Sequence, residues 1–599
     1  MPRTQPTEQV SVPAPAPILA PLDDEIVEFE SNVRRFRAGE IDNAEFRPWR
    51  LTRGVYGQRQ PDGQMVRVKL PAGGVTADQM DTFADIAERF TGLGRGHLTT
   101  RQNIQLHFVQ LEDVPEVLQM LARVGLTTRE ACGNVVRNVT ACPYAGVSTH
   151  EAFDVTPYLA AYARRFLRNP VSQNLPRKFK TAFSCGPDDC AGASFHDLGF
   201  IARVRRDASG RELRGFELRA GGGTSTMPWR AAPLYEFVTA DDGRYLVVAE
   251  AVIRVFAREG DIPGLLRKNK NKARLKFLLR EVGIDSFRRL VEEELAGEWA
   301  RRMPDMASLA ALAPEGPCVA PPALDGGGVP PGFERWRQTN VVPQRQPGYC
   351  AVAVTVPVGN LSGTQFRRLA QIMRVYCGGH ARTNQAQDLV LRWVPEAALG
   401  ALYRELAADG LGDAEAGLLA DVVSCPGAST CSLAITASQS LGEALNRFLR
   451  EHGPDDELSR QVYVKISGCP NGCGQHHLGA IGLQGTSMHG PYGVTIPAYD
   501  VFVGGDNYRG ARRYAERVAR VAAKRVPQAI LALLERYRAE RGPSEGFVAY
   551  VERVGAQHLA PVLEPFASVG PVHEDLDAYV DWGAREPFRV VRGEGECAV

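Results

Sequence analysis

The sequence lacks a large excess of charge of either sign, a long apolar run and a secretory leader. It has 70 basic and 69 acidic residues, a balance that argues against nucleic acid or an anionic membrane surface as the main partner. No apolar run approaches the roughly 20 residues that cross a bilayer. The N-terminus has no basic region followed by an apolar core and a cleavage site. We therefore expect a cytoplasmic protein with a disordered leader and lead-in over residues 1–45.

Cysteine is also scarce, and its distribution is uneven. Twelve cysteines in 599 residues are too few for a disulfide scaffold of this size. They are clustered, which in a cytosolic chain points to metal or redox chemistry. The length is several times that of a usual domain, so two to four compact units are expected.

The chain contains an internal duplication. Residues 58–61 (QRQP) recur as residues 344–347, and an alternating apolar run follows each copy, which predicts a strand. Further landmarks repeat at nearly constant spacing: Gln102 with Gln385, Cys142 with Cys425, Cys185 with Cys469, and Cys190 with Cys473. Each copy begins with a strand, helix, strand, helix pattern and continues into a larger mixed segment. This order predicts an α+β fold with pseudo-twofold symmetry.

Four cysteines in the second copy form two close pairs. Cys425 and Cys431 make the first pair, and Cys469 and Cys473 make the second. Four thiolates are the number that holds a cubane cluster, and the nearby Gly and Pro residues let backbone amides turn toward the sulfurs. Zinc is the alternative, but the first pair is spaced too widely for a typical structural zinc site. The spacing favours an iron-sulfur cluster.

The first copy keeps only part of this pattern. Cys142, Cys185 and Cys190 persist, but Ser148 stands where the second copy has Cys431. A second four-thiolate site is therefore not expected. We interpret the cysteines of the first copy as small buried apolar residues.

Four blocks in a fixed order carry a resemblance to a known family. They are residues 98–105 (LTTRQNIQ), 137–139 (RNV), 175–181 (LPRKFKT) and 467–473 (SGCPNGC). With these blocks, the chain from about residue 55 to about 545 resembles the assimilatory siroheme sulfite and nitrite reductases. The resemblance implies six-electron reduction of sulfite or nitrite at a siroheme whose iron shares a cysteine thiolate with a [4Fe-4S] cluster.

The resemblance also implies roles for individual residues. Cys473 would be the shared thiolate, and the other cluster ligands would be Cys425, Cys431 and Cys469. The substrate would bind among four basic side chains, Arg101, Arg137, Lys178 and Lys180. Further siroheme contacts would come from the block around Arg101, namely Thr100, Gln102, Asn103 and Gln105.

The chemistry of these anions is consistent with such a basic set. Sulfite and nitrite must lose oxygen as water, which requires positive charge and proton donors beside the iron. Arg gives a fixed fork of donors, and Lys gives a cation whose pKa falls when it is desolvated. Singly, each basic residue would more often be a solvated surface charge. In the second copy Asn384 is taken as the counterpart of Arg101, so the cations occur once, and the first half is expected to supply the anion cage and the second half the metal centre.

Seven segments follow from the duplication and the resemblance. After the leader we expect a ferredoxin-like half-domain at 46–127, a siroheme and substrate domain at 128–312 and a Pro/Gly linker at 313–340. A second ferredoxin-like half-domain at 341–412, a [4Fe-4S]/siroheme domain at 413–545 and a C-terminal extension at 546–599 complete the chain. Aromatic residues in the extension indicate that it packs on the body.

The substrate and the electron donor remain open at this stage. In plant-type nitrite reductases of the family an asparagine holds the place of Lys180, whereas the sulfite enzymes keep a lysine, so sulfite is favoured and nitrite is the alternative. The chain has no convincing flavin or nicotinamide site, so electrons must come from another protein, with ferredoxin favoured over a flavoprotein reductase. The rival classes are a non-enzymatic iron-sulfur electron carrier and a zinc-stabilised interaction module.

Overall fold

The computed structural model describes residues 18–318, 330–506, 513–593 and 596. Within the predicted leader and lead-in, Asp23–Arg37 form a helix. Acidic residues occupy its first turn and basic residues its last, which complements the helix dipole. Its apolar face buries Phe29 and Val33. Residues 1–17 of the predicted leader lie outside the described residues.

The elements follow the duplicated order along the chain. The first ferredoxin-like unit and its lead-in contain α1 (Asp23–Arg37), α2 (Asn43–Thr52), β1 (Val55–Gly57), β2 (Gly63–Val68), β3 (Gly74–Thr76), α3 (Ala77–Phe90), β4 (Arg95–Leu98), β5 (Ile104–Gln110) and α4 (Val114–Arg123). The following larger unit contains β6 (Val136–Ala141), α5 (Thr156–Phe166), β7 (Phe179–Ser184), β8 (Leu198–Arg206), β9 (Glu212–Ala220), β10 (Ala232–Thr239), α6 (Arg244–Ala257), α7 (Leu275–Val282), α8 (Ile284–Leu295) and α9 (Met306–Leu309).

The second copy repeats this arrangement. Its ferredoxin-like unit contains α10 (Phe333–Asn340), β11 (Val341–Pro343), β12 (Tyr349–Val354), β13 (Asn360–Ser362), α11 (Gly363–Tyr376), β14 (His380–Thr383), β15 (Leu389–Pro395) and α12 (Leu399–Ala408). Its larger unit and the C-terminal extension contain β16 (Val423–Ser424), α13 (Ser438–His452), α14 (Glu457–Arg460), β17 (Val464–Ser467), β18 (Ile481–His489), β19 (Thr495–Val503), β20 (Glu516–Ala522), α15 (Val526–Glu540), α16 (Phe547–Val554) and α17 (Ala560–Leu563).

The two ferredoxin-like units exchange a strand. Their sheets have the orders β1-β2-β5-β4-β13 and β11-β12-β15-β14-β3, so each is completed by a short strand of the other copy. Leu361 of β13 pairs with Gly96 of β4, and Ala381 of β14 pairs with Val75 of β3. The α+β duplicated fold is thus confirmed, and the backbone hydrogen bonds of the exchanged strands lock the two halves together.

Helices α3 and α11 reinforce this exchange. Both begin with a capping box, from Thr76 and Ser362, which satisfies backbone amides of the first turn. Phe83 and Phe366 contact each other with ring centroids 5.8 Å apart. Arg367 of α11 bonds to Asp85 of α3 at 3.0 Å. The two helices therefore form one packed layer across the pseudo-twofold axis.

Each larger unit contains a five-stranded sheet whose first three strands are parallel. The orders are β10-β9-β8-β7-β6 and β16-β17-β18-β19-β20, with β6, β7 and β8 parallel in one and β16, β17 and β18 parallel in the other. Cys142 follows β6 and Cys425 follows β16. Both amides donate to a neighbouring strand, to Phe183 O and Ile466 O, at 3.3 Å each. The cysteines thus stand at the carboxyl ends of parallel strands, where open α/β sheets bind ligands.

The predicted linker and C-terminal extension are both partly ordered. The linker prediction is wrong for its last residues, because Phe333–Asn340 form a helix that buries Trp336 completely; residues 319–329 lie outside the described part. The extension packs on the body as predicted: Asp581 accepts a bond from Ala437 N at 2.8 Å, and Trp582 donates to Ala523 O at 2.9 Å. No helix in the described ranges is long and apolar enough to cross a membrane.

Candidate active site

A large cavity lies between the two halves and is strongly basic. Its empty space, with the open mouth included, is about 1820 Å³, so it can hold a macrocycle and not only an ion. Its described lining contains no carboxylate. It contains seven cationic side chains, all from the first half: Arg67, Arg101, Arg137, Arg177, Lys178, Lys180 and Arg274. Such a lining favours a ligand with several negative charges.

Arg101 stands in the loop between β4 and β5 and is held by β6 and by a histidine. Its guanidinium donates to Asn138 O at 2.5 Å and to Thr140 Oγ1 at 3.3 Å, and it contacts His196 Nε2. Burial, with Arg137 close by, lowers the pKa of Arg101 to about 9. A buried cation whose pKa is lowered in this way gains stability from a bound anion.

The other predicted substrate residues lie in the same cavity. Arg137, near the start of β6, donates from Nε to Ala131 O at 2.8 Å, and this bond fixes the position of its side chain. The Lys180 amide donates to Asp197 Oδ2 at 2.8 Å. Burial lowers the pKa of Lys180 well below its usual range, and the neighbouring Arg274, Lys178 and Arg101 lower it further. The structure thus brings all four predicted basic residues together.

Four further basic residues, Arg177 among them, line the cavity and were not predicted as site residues. Arg67 and His196 line the cavity, and so does Arg274, whose Nε and Nη2 bond to Asp197 at 2.8 and 2.7 Å. Arg67 and His196 stand outside the recognised sequence blocks. As isolated basic residues they give no signal of a site. For Arg274 the basic run of residues 268–276 (KNKNKARLK) offers a signal, but a run of this kind usually forms a solvated surface.

The four predicted cluster cysteines line the same cavity. Cys473 is exposed to it, whereas Cys469 is only 6% exposed. No three of these four described sulfurs lie within 4.8 Å of one another, so the site is too wide for a single ion and fits a cluster. Gly468 N donates to Cys425 Sγ at 3.3 Å, as expected for amides that turn toward the sulfurs.

Burial keeps the free thiols of Cys431 and Cys469 protonated. Burial raises the pKa of Cys431 to about 12, and the neighbouring Cys473 and Cys425 raise it further. Burial raises the pKa of Cys469 as well, again with Cys473 beside it. Thiolates at such positions require a metal to offset their charge. Binding of a metal cluster would therefore release the protons of these thiols.

The residues predicted to contact siroheme divide into two groups. Thr100, Asn103 and Gln105 line the cavity, and Thr100 Oγ1 donates to Cys473 O at 2.8 Å, which joins the basic loop to the cysteine wall. Gln102 does not line the cavity. It is completely buried, and its side chain bonds to Thr383 O and Ala141 N at 2.7 and 2.8 Å. Its predicted siroheme contact stays a prediction, with the side-chain amide bound to backbone in this structure.

Gln387 repeats the contacts of Gln102 in the second copy. Its amide bonds to Leu98 O at 2.9 Å and to Ser424 N at 2.7 Å. The true counterpart of Gln102 is therefore Gln387 and not Gln385, which lines the cavity. By the same register Ala386 and not Asn384 corresponds to Arg101. The conclusion that the cation occurs in one copy only is unchanged.

Comparisons with known families match about three quarters of the chain. Residues 132–298 and 416–567 match the nitrite and sulphite reductase 4Fe-4S domain. Residues 56–124 and 342–409 match the nitrite/sulfite reductase ferredoxin-like half domain. Both domains occur twice, in agreement with the duplication.

Individual relatives cover most of the chain as well. An assimilatory ferredoxin-dependent nitrite reductase of Haloferax mediterranei is 30% identical over 88% of this chain and 89% of its own length. A sulfite reductase [ferredoxin] 1 of Mycolicibacterium paratuberculosis is 31% identical over 83% of each chain. The solved NirA protein of Mycobacterium tuberculosis superposes with a TM-score of 0.74 and 27% identity over 90% of this chain and 96% of that one.

Proposed function

The chain belongs to the nitrite and sulphite reductase family, and from that premise we propose that it reduces sulfite to sulfide by six electrons. It is a siroheme-dependent oxidoreductase that carries a [4Fe-4S] cluster, as the family does. Nitrite, reduced to ammonia, is the alternative substrate. A non-enzymatic iron-sulfur carrier would need the cysteines but not the basic residues of the same cavity.

One observation carries the proposal: seven cations and four cysteines line one cavity that has no carboxylate in its described lining. Siroheme has many carboxylates and the substrate is an anion, so both need this charge. Cys425, Cys431, Cys469 and Cys473 would hold the cluster, and Cys473, exposed to the cavity, would be shared with the siroheme iron. When bound, the siroheme and cluster supply the electrons and a metal site for the reduced atom.

The basic residues would bind the oxyanion and supply protons. Arg101 and Arg137 are fixed by backbone carbonyls, so their guanidiniums can hold substrate oxygens in one orientation. Lys178 and Lys180 are the proton donors of the proposal, and the lowered pKa of Lys180 lets it give up its proton more readily. Each oxygen then leaves as water after two protons reach it.

The preference for sulfite rests on local charge. Sulfite carries up to two negative charges near neutral pH and nitrite carries one. Lys180 lies beside Lys178, Arg101 and Arg274, which gives the dianion an additional cation. Relatives of both kinds match this chain with similar identity, so nitrite stays the second candidate.

We further propose ferredoxin as the electron donor and the cytoplasm as the location. Relatives of both substrate classes are named ferredoxin-dependent, and no flavin or nicotinamide motif is evident in the sequence. A flavoprotein reductase is the other donor class. With sulfite present, purified protein should oxidise reduced ferredoxin. It should not oxidise NADPH when NADPH is the sole electron donor.

The absorption spectrum and the steady-state kinetics test the proposal together. We expect strong siroheme bands in the purified protein and a higher kcat/KM for sulfite than for nitrite. A spectrum with only the broad absorption shoulder of an iron-sulfur cluster would contradict the proposed enzyme and favour an electron carrier. A higher kcat/KM for nitrite would overturn the substrate preference and leave the family assignment intact.

A further inference from the structure

A second group of cysteines lies in the first half, away from the cavity wall formed by the cluster cysteines. The Sγ atoms of Cys142, Cys185 and Cys190 all lie within 4.8 Å of one another, and those of Cys185 and Cys190 are 3.4 Å apart. Cys142 follows β6 and Cys185 follows β7, the parallel neighbour of β6. The carboxyl ends of these strands bring the thiols together, although 43 positions separate Cys142 from Cys185 in the sequence.

The width of this group differs from that of the cluster site. A metal-to-sulfur distance of about 2.3 Å places the sulfurs of a tetrahedral zinc site about 3.8 Å apart. The three sulfurs lie within 4.8 Å of one another, whereas no three sulfurs of the four cluster cysteines do. The group therefore has the size of a single-ion site and not of a cubane.

Two buried arginines of the second half provide a separate observation. Arg382 and Arg392 are 2% and 3% exposed, and both interact electrostatically with Cys142. In each of them the Nε and Nη1 atoms lack a hydrogen-bond partner among the described residues. These guanidiniums favour the thiolate form of Cys142, which is the form that binds metals. An anionic metal-thiolate group would also give these donors a favourable electrostatic environment.

We propose that Cys142, Cys185 and Cys190 bind one zinc ion, at a second metal site outside the main cavity. Soft thiolate ligands select zinc among the common divalent ions, and zinc needs no redox partner. The fourth position is left to water. Ser148 occupies the place of Cys431: the Ser148 amide donates to Tyr144 O at 2.9 Å, and the Cys431 amide donates to Gly427 O at 3.0 Å.

The ion would fix a loop that also forms part of the cavity. Cys185 and Cys190 begin a loop whose later residues Ala191, Gly192 and His196 line the cavity. His196 contacts Arg101. Zinc at the three thiols would thus act as a positioning device for the wall behind Arg101, without contact to the substrate.

Metal analysis of the purified holoenzyme tests the site directly. We expect about one zinc ion per chain beside the iron of the cofactors. Cys142→Ser should lower the zinc content at least tenfold and leave the iron content unchanged. Cys350→Ser, at a buried cysteine of β12, is the matched control and should keep both metals. Zinc content equal in Cys142→Ser and wild type would overturn the proposal.

A gain-of-ligand variant covers the case in which Cys142→Ser fails to fold. Ser148→Cys should complete a four-thiolate site and slow the loss of zinc to EDTA about tenfold or more, because a further ligand raises metal affinity. Absence of zinc from both wild type and Ser148→Cys after growth with added zinc would overturn the site. So would a disulfide between Cys185 and Cys190 in the native enzyme, detected by mass spectrometry.

Discussion

The main cavity has a pseudo-twofold counterpart, which is the region around Cys142, Arg382 and Arg392. The two regions contain similar residue types but differ in how their charge is balanced. First-half cations and second-half cysteines line the cavity, and the described lining has no carboxylate. In the counterpart, second-half Arg382 and Arg392 lie near Cys142. Glu315 forms ion pairs with both guanidiniums, at 3.1 and 3.2 Å. Asp154 adds a further negative charge there. A protein carboxylate therefore occupies the place beside the cations that the cavity leaves for its ligands.

The largest expected effect is that of Cys473→Ser, which removes the sulfur that the two cofactors would share. A hydroxyl is a much poorer ligand for soft metals than a thiolate. We expect loss of the coupled siroheme and cluster spectrum and a fall in kcat/KM on the order of 100-fold or more. Cys318→Ser, at a partly exposed cysteine, is the control and should behave as wild type. Full activity of Cys473→Ser would refute the bridging role.

The next effect concerns the counterpart and its carboxylate. Glu315 is largely buried, which opposes its ionisation, but Arg382 and Arg392 outweigh burial and hold its pKa at about 2. Because this pKa is lowered, the stabilisation is present at neutral pH and is lost as the pH falls from about 4.5 toward 2. Glu315→Gln should lower the free energy of unfolding by about 2 kcal/mol at pH 7, measured by denaturant titration.

The control for Glu315→Gln lies in the same stretch of chain. Glu334→Gln removes an exposed carboxylate of α10 that is 3.9 Å from Arg337, so its effect should stay below about 0.5 kcal/mol. Equal effects of the two substitutions at pH 7 would show that Glu315 does not balance the buried arginines. The comparison between the two sites would then lose its electrostatic basis.

Arg137→Ala removes one cation from the cavity. Oxygen charge that develops during reduction would lose a fixed donor, so kcat/KM should fall on the order of 100-fold. The siroheme spectrum should change little, because six other cations remain in the lining. An unchanged kcat/KM with full cofactor content would contradict the role of Arg137. Arg382→Ala, in the counterpart, should leave the KM for the substrate unchanged.

Much of this arrangement could be predicted from the sequence, because the informative residues occur in pairs or blocks. The spacing of Cys425, Cys431, Cys469 and Cys473 indicated the cluster, and Arg101 and Lys180 lie in blocks that match the family. The strand exchange could not be predicted, since three-residue strands such as β3 and β13 carry no signal of their partner. The register of Gln102 was misassigned because Gln385 and Gln387 lie two positions apart, and only their contacts distinguish them.

The grouping of the three first-half cysteines also could not be predicted from the sequence. Absence of a fourth cysteine argued against a second four-thiolate site. The sequence could not show that Cys142, Cys185 and Cys190 meet within 4.8 Å, because that distance depends on the pairing of β6 with β7. Arg382 and Arg392 come from the other half of the chain, so their approach to Cys142 depends on the strand exchange.

The smallest expected effect is the most specific, since it separates the two substrates. Lys180→Asn keeps a polar side chain but removes one of the cations that lie close together beside Cys473. A dianion loses more electrostatic stabilisation than a monoanion when one charge is removed, so kcat/KM for sulfite should fall about tenfold more than kcat/KM for nitrite. Lys178→Asn is the comparison variant, at the residue just before β7. Equal losses for both anions in Lys180→Asn would mean that the number of cations beside the iron does not set the preference, and the charge argument for sulfite would be wrong even though the basic cavity remained.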